Sequence, residues 1–288
     1  MTTAPAKTPP AAPAAAPADA DAIPRPPRWL TTLRAEPPAV IGKLLGAACV
    51  LLIVLIWHLK TSGDDAISPA VLSSPSDTFG AYDHVESRGL WDAIAATLLR
   101  VFKGFGLAVI VGCGLGVVAG SFRAVAAFFS PLVLFGRSLP LGALLPLTLV
   151  FLGLGEKQKE MFIFIATVPF VFSDTIKAMS LVPERYVETA QTLGASRWQI
   201  IYKVLVPLAL PDIVTGLRFL FGLALGYIML AEAINAGQGL GYMIDIGRKR
   251  NFIADNYLLL IIIGILAYFV DYLLRFFQRY AFHYRKDL

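Results

Sequence analysis

Few residues in this chain have the types and spacing that catalysis, metal binding or nucleotide binding would require. His58, His84 and His283 are scattered, and Cys49 and Cys113 fall inside apolar runs. They form no metal-binding cluster, and no paired carboxylates or Ser/His/Asp set can be assembled from the sequence. The sequence also lacks G-x-x-x-x-G-K-[ST], the loop that holds nucleotide phosphates. We therefore predict no catalytic residue, no metal site and no cofactor in this chain.

One charged residue lies where charge is costly. Arg137 and Ser138 occur within the apolar run 124–152, which is long enough to cross a membrane. An arginine inside a span normally faces protein or a water-filled route, so Arg137 and Ser138 are candidates for a solute pathway that favours anions. The alternative, equally open, is a buried arginine that binds carbonyls freed by nearby prolines.

The composition indicates a membrane protein. Apolar residues make up 57% of the 288 residues, charged residues only 16%, and the mean hydropathy is +0.67. Soluble domains are less apolar than this. The length leaves room for five or six spans and little room for a separate soluble domain. The net charge of +5 is spread along the loops, which argues against a nucleic-acid partner.

The hydropathy pattern predicts a tail, a first span and a larger core. Residues 1–38 are rich in Ala and Pro and should be disordered. Lys and Arg are more frequent on the side of the two termini, which places both termini in the cytoplasm. The predicted order is the tail 1–38, the first span 39–59, a periplasmic loop 60–93, the core 94–280 and a cytoplasmic C-terminal tail 281–288. Inside the core we predict spans ending near 121, then 124–152, 161–179, 211–235 and 252–274, with external loops at 153–160 and up to Asn256.

A polar segment, residues 183–207, lies between two apolar spans. Gly194 is typical of the left-handed residue that ends a helix. Ser196 and Gln199 have the spacing of a capping box, which predicts a second helix from that point. Pro207 then marks the entry to the next span. Two short helices joined by a tight turn form a surface that another protein can bind.

The same segment resembles the EAA loop of ABC-importer permeases, whose pattern is E-A-A-x3-G-x9-I-x-L-P. Here Glu188-Thr189-Ala190, Gly194 and Val204-Leu205-Val206-Pro207 keep that spacing with three small substitutions. In that family the loop docks into a groove on a cytoplasmic ATPase. A helical hairpin without a partner would explain the caps but not the spacing from Gly to Pro. The resemblance assigns coupling to the ATPase to six residues: Glu188, Thr189, Ala190, Gly194, Ala195 and Ser196.

Three further stretches resemble the nitrate/sulfonate/taurine/bicarbonate subfamily of these permeases. They are 97–105 at the start of the second span, 136–146 around Arg137, and 231–242, which reads A-E-x6-G-L-G-Y. The last stretch contains Glu232. This carboxylate either gates the pathway or contacts a binding protein, or it pairs structurally with a cation.

The resemblance implies an all-α integral membrane protein with six transmembrane helices and a cytoplasmic coupling-helix hairpin, the type I importer permease fold. The implied partners are a second copy, two cytoplasmic ATP-binding subunits that hold ATP and Mg, a periplasmic substrate-binding protein and the lipid of a bacterial inner membrane. The chain itself would not be an enzyme. The implied cargo is a small anion (nitrate, taurine or another alkanesulfonate, or bicarbonate), imported by alternating access.

Two alternatives stay open from sequence. One is a permease of the same kind for a heterocycle similar to a thiamine precursor. The other is a secondary transporter or channel that works alone, for which an internal repeat or mid-span carboxylates would be expected.

Overall fold

The computed structural model describes residues 37–62 and 66–282, and the predictions for 1–36 and 283–288 lie outside these ranges. The described residues fold into helices without a strand, which confirms the all-α class. In chain order the helices are α1 (Ala39–Thr61), α2 (Pro75–Gly80), α3 (Tyr82–Ser87), α4 (Leu90–Ser121), α5 (Arg123–Ser138), α6 (Leu141–Leu152), α7 (Glu156–Ser180), α8 (Glu184–Thr192), α9 (Arg197–Ile200), α10 (Val206–Asn235), α11 (Leu240–Lys249) and α12 (Ile253–Ala281).

Five helices in the described residues are long and apolar enough to cross a membrane: α1, α4, α7, the continuous helix Arg197–Ile234, and α12. Helices α5 and α6 pass the same test only as a pair. The described residues up to Ile56, which begin α1, form a unit of their own, and Trp57 onward forms the second unit.

The pair α5 and α6 differs from the uninterrupted span predicted across 124–152, because the two helices meet at 103°. Leu139 between them has an extended backbone, with φ −66° and ψ 127°. Pro140 causes this, since its ring disfavours the helical conformation at the preceding residue and it has no N–H to donate. The third predicted span, 124–152, is therefore a helix that is broken at Leu139.

Helices α4 and α7 pack very closely along a line of glycines. A Cβ on Gly112 would lie 2.8 Å from Val171 Cγ1, and one on Gly116 would lie 2.7 Å from Thr175 Cβ. Only glycine allows the two backbones to approach to this degree. This contact runs along the second halves of α4 and α7.

Stretches predicted as external loops are partly helical and cover one end of the bundle. The 60–93 stretch contains α2, α3 and the start of α4, the 153–160 stretch is a loop only as far as Gly155, and α11 lies in the last one. These short helices escape detection because each has too few turns to show a period. Their apolar side chains form one cluster with α4 and α12, made of Val85, Leu90, Ala93, Leu240, Met243, Leu258 and Leu259.

The fifth long helix begins before the predicted position at residue 211. Helix α9 continues through a π-helical turn, Ile201–Leu205, directly into α10. The Val206 N–H donates to the Ile201 carbonyl, five residues back. The wider turn precedes Pro207, which has no N–H and would crowd a regular α-helix, so the chain passes this proline without a break.

Candidate functional site

The 183–207 segment folds with the helix caps that its sequence predicts. Pro183 is the N-cap of α8. Gly194 follows α8 with φ +76°, a left-handed conformation that costs glycine little. Gln199 Oε1 accepts from the Ser196 N–H at 2.8 Å, and Ser196 Oγ accepts from the Gln199 N–H at 3.4 Å. The capping box that begins α9 is therefore confirmed.

Most of this segment is exposed, although Ile200 and Ile201 are buried. Helix α8 has no buried residue, and Leu193, Trp198 and Tyr202 are all more than half exposed. The ring of Trp198 stacks on Tyr202 at 6.1 Å between centroids, so these apolar side chains form a continuous patch. An exposed apolar patch with a polar surround is typical of a protein-binding surface. The six candidate coupling residues lie in this segment; Ala190 and Ala195 are half-buried, and the other four are exposed.

Glu232 lies near the end of α10 and is fully buried. Arg100 Nη1 donates to Glu232 Oε1 at 2.7 Å, and the Thr97 hydroxyl lies 3.0 Å from both carboxylate oxygens. The Gly241 N–H, from the first turn of α11, donates to Oε2 at 3.0 Å. Of the two interpretations of Glu232, the structure contains the geometry of the second, a structural pair with a cation.

Arg100 has a second carboxylate partner. Its Nη2 donates to Glu156 Oε1 at 2.9 Å, its Nε bonds to Glu156 Oε2, and its Nη1 also donates to the Gln238 carbonyl at 2.7 Å. Lys159 Nζ lies 2.9 Å from Glu156 Oε1. Two cations and two carboxylates thus neutralise one another where α4, α7 and α10 meet. We call Thr97, Arg100, Glu156, Lys159 and Glu232 the Arg100 cluster.

Arg137 lies near the end of α5 and is exposed. Its guanidinium carbon is 5.2 Å from the centroid of the Phe170 ring, a cation–π contact, and it forms no hydrogen bond or ion pair with any residue in the described ranges. It lines an open cavity of about 370 Å³ together with Ser130 and Ser173. The alternative of a buried, carbonyl-binding arginine does not match this position, and the pathway role stays a prediction.

The three candidate pathway residues do not form one site. Ser138 follows Arg137, but its hydroxyl donates to the Leu134 carbonyl at 2.8 Å within its own helix. Glu232 belongs to the Arg100 cluster and does not line the cavity of Arg137.

Comparison with known proteins decides the family. Residues 108–283 match the model of the binding-protein-dependent transport system inner membrane component. The chain belongs to this family. It is 32% identical to the taurine transport system permease protein TauC of Escherichia coli (strain K12) over 88% of this chain and 91% of that protein.

Other relatives in the family carry different names. The bicarbonate transport system permease protein CmpB of Synechococcus elongatus is 30% identical over 83% of this chain and 89% of its own length. The nitrate import permease protein NrtB of Synechocystis sp. is 29% identical over 81% of this chain and 86% of its own length.

Solved structures show the same fold. An inward-facing conformation of the MetNI methionine ABC transporter matches with a TM-score of 0.52 and 29% identity, over 68% of this chain and 93% of that one. A crystal structure of an amino acid ABC transporter with histidines matches with a TM-score of 0.59 and 19% identity, over 69% of this chain and 97% of that one, which shows the fold alone.

Family and fold together define the class of protein. The chain is an ABC importer permease, a multi-pass protein of a bacterial inner membrane and a transport subunit. ABC importer permeases work as dimers, together with ATP-binding subunits and substrate-binding proteins.

Arg100, Glu156 and Lys159 of this permease are polar residues that the sequence did not single out. Glu156 and Lys159 were placed in a loop, although α7 begins at Glu156. Arg100 is a cation inside an apolar run, and Glu232 is a carboxylate inside another. Two opposite charges in separate spans predict a pair, because each is too costly to leave alone in an apolar environment.

Proposed function

We propose that this permease belongs to an ATP-driven importer that moves a small anion, namely nitrate, taurine or another alkanesulfonate, or bicarbonate, from the periplasm to the cytoplasm by alternating access. The observation that carries the proposal is the set of relatives named for taurine, bicarbonate and nitrate, which align with at least 81% of this chain. Each of these solutes carries an anionic group, so a shared pathway would favour negative charge.

In the proposed assembly, two copies of this chain bind two cytoplasmic ATP-binding subunits and one periplasmic binding protein. Both termini lie in the cytoplasm. This orientation puts the 183–207 segment on the cytoplasmic side and the Arg100 cluster at the periplasmic end of the bundle. The exposed patch with Trp198 and Tyr202 supports a docking role, and ATP and Mg are held by the partner subunits.

Helices α8 and α9 transmit movement in this proposal. Glu188, Thr189 and Ala190 lie on α8, and Gly194, Ala195 and Ser196 form the turn into α9. Because α9 is continuous with α10 through the π-helical turn, a displacement of the docked segment acts directly on a membrane-spanning helix.

Arg137 supplies positive charge to the pathway. Its guanidinium is open to the cavity and lacks a carboxylate partner in the described part of the chain. Near a membrane interior, a cation in this state attracts an anion strongly, because little water screens it.

The proposal is tested by reconstituting the complete complex in liposomes with ATP inside and measuring uptake of labelled nitrate, bicarbonate and taurine. We expect ATP-dependent uptake of at least one of them. Arg137→Ala should lower that uptake by about tenfold or more, which corresponds to about 1.4 kcal/mol. Arg123→Ala, which removes the same charge from the exposed start of the same helix, is the matched control and should have little effect.

Two results would overturn the proposal. Uptake that persists without the ATP-binding subunits would indicate a transporter that works alone. Failure of the purified chain to retain an ATP-binding subunit, even after cross-linking, would remove the basis for assigning a coupling role to the 183–207 segment.

A further inference from the structure

A second charged residue in the spans lacks a partner. Asp174 lies on α7, inside a helix that is long and apolar enough to cross a membrane. Its side chain is half-buried, and within the described residues it makes no hydrogen bond or ion pair, not even with Lys177 three residues later. A carboxylate at this depth is expensive to keep, so it indicates a partner that the single chain does not contain.

Helices α5 and α10 flank one face of α7. On one side, Gly136 of α5 packs against Pro169, where an added Cβ would lie 2.8 Å from the proline Cγ. On the other side, Gly216 of α10 faces Asp174, and a Cβ there would lie 3.4 Å from Asp174 Oδ2. An open cavity between α5 and α7, lined by Arg137 and Ser173, borders the strip of α7 between these two contacts, and we call the strip and the cavity together the groove.

Phe170, Ser173 and Asp174 lie along this groove, and all three are half-buried. Arg137 reaches into it from α5, because its guanidinium lies over the Phe170 ring and shares a cavity with Ser173. Phe170 and Asp174 are four residues apart and therefore neighbours on the helix surface. The groove thus has a positive group over the Phe170 ring and a negative group about one helical turn further along α7.

The two charges are separate and each is unsatisfied. A pathway for nitrate or bicarbonate gains from Arg137, but Asp174 would repel such an anion from the same groove. A solute with an anionic end and an ammonium end would pair with both. Only a solute with both an anionic end and an ammonium end gives Arg137 and Asp174 each a partner.

We propose that Arg137 and Asp174 together bind a zwitterionic aminosulfonate, with the sulfonate at Arg137 and the ammonium at Asp174. This inference rests on the proposed import function and narrows its cargo class. Phe170 between them supplies an apolar surface for the short carbon chain of the solute. The site makes the permease itself, and not only its binding protein, sensitive to the ammonium group.

The test compares taurine with isethionate, which has a hydroxyl where taurine has its ammonium. Both are offered to the reconstituted complex with the same binding protein, and the ratio of their uptake rates is measured. We expect taurine uptake by the unaltered complex. Asp174→Asn should lower taurine uptake about tenfold or more, equivalent to about 1.4 kcal/mol, and shift the ratio toward isethionate.

Two variants serve as controls. Asp174→Glu keeps the charge and should keep most of the preference for taurine. Asp83→Asn removes an exposed carboxylate from α3 and should leave both rates unchanged. Because the binding protein is the same throughout, a change in the ratio reports on the permease.

The outcomes separate this inference from the proposed function. Uptake of nitrate or bicarbonate without taurine would overturn the zwitterion site and leave an anion importer. If none of these solutes is taken up, both the zwitterion site and the proposed import function are overturned. If Asp174→Asn instead weakened the dimer and slowed every cargo equally, Asp174 would be pairing with the second copy, and the inference would be wrong.

Discussion

Two sets of charged residues lie in the apolar part of this permease, and they differ in whether the chain itself satisfies them. In the Arg100 cluster, Arg100 and Glu232 are buried and bonded to each other and to neighbouring groups. Arg137 lines an open cavity and Asp174 lies on the adjoining strip of α7, and neither forms a hydrogen bond or ion pair in the described residues. Removing a charge from water is costly unless it is paired, so the two sets must have different roles.

The complete pairing of the Arg100 cluster indicates a positioning role. Its bonds join α4, α7, α10 and the first turn of α11, which are far apart in sequence. A ligand would have to replace bonds that already exist. In the groove, by contrast, a ligand would supply missing bonds, and this is why we place cargo there.

The largest expected effect on stability comes from breaking the pair between Arg100 and Glu232. Arg100→Ala would leave Glu232 buried without its cation, and breaking a buried pair in this way costs about 3–5 kcal/mol. Thermal unfolding of the purified permease in detergent measures the loss. Lys103→Ala, one turn later on α4, removes an exposed pair with Glu160 and should cost less than about 1 kcal/mol. Equal losses would mean that the burial of Arg100 has no energetic consequence.

A smaller effect is expected from the close contact between α4 and α7. Gly112→Ala would force a methyl group to within 2.8 Å of Val171 Cγ1, and overpacking of this kind costs about 1–3 kcal/mol. Gly114→Ala, on the same helix, meets open space and should stabilise the protein by up to about 1 kcal/mol through helix propensity. The same unfolding measurement compares the two variants. The two variants should change stability in opposite directions if the close approach of α4 and α7 at Gly112 depends on glycine.

Local features of the sequence predicted much of this fold. The left-handed Gly194 and the capping box at Ser196 each depend on a few consecutive residues, and the structure contains both. The sequence indicates that Glu232 pairs with a cation, but Arg100 and Glu232 are 132 positions apart, so the tertiary fold decides which cation it is. The bend at Leu139 has a local cause in Pro140, but the run of apolar residues around it gave no sign of an interruption.

The 183–207 segment provides a contrast to both charged sets, since it is exposed and has no buried residue in α8. Gly194→Glu introduces a side chain where φ is +76°, which costs about 1–2 kcal/mol of local strain. Because Gly194 itself is exposed, we expect the permease to stay folded, while ATP-driven uptake falls about tenfold or more.

Uptake and ATP hydrolysis by the reconstituted complex are measured together for this variant. Gly80→Glu, which adds the same side chain at an exposed residue without positive φ, is the control. Normal uptake by the Gly194 variant would contradict a coupling role for this turn.

The smallest effect on stability is expected at Asp245, because the two cationic side chains that pair with it are exposed. Lys249 Nζ and Arg248 Nη2 lie 2.5 Å and 2.8 Å from its oxygens, and the hydrogen bond from Lys249 is the main reason that the pKa of Asp245 falls below its ordinary value of 3.8. A carboxyl with a lowered folded pKa contributes stability above its unfolded pKa, and the contribution is lost as the pH falls through the folded pKa. Asp245→Asn should therefore cost less than about 1 kcal/mol at neutral pH. The cost should disappear in acid, as followed by the unfolding temperature of both proteins across this pH range. A cost as large as that of Arg100→Ala would show that pairing alone, without burial of both partners, sets the stability of these charges.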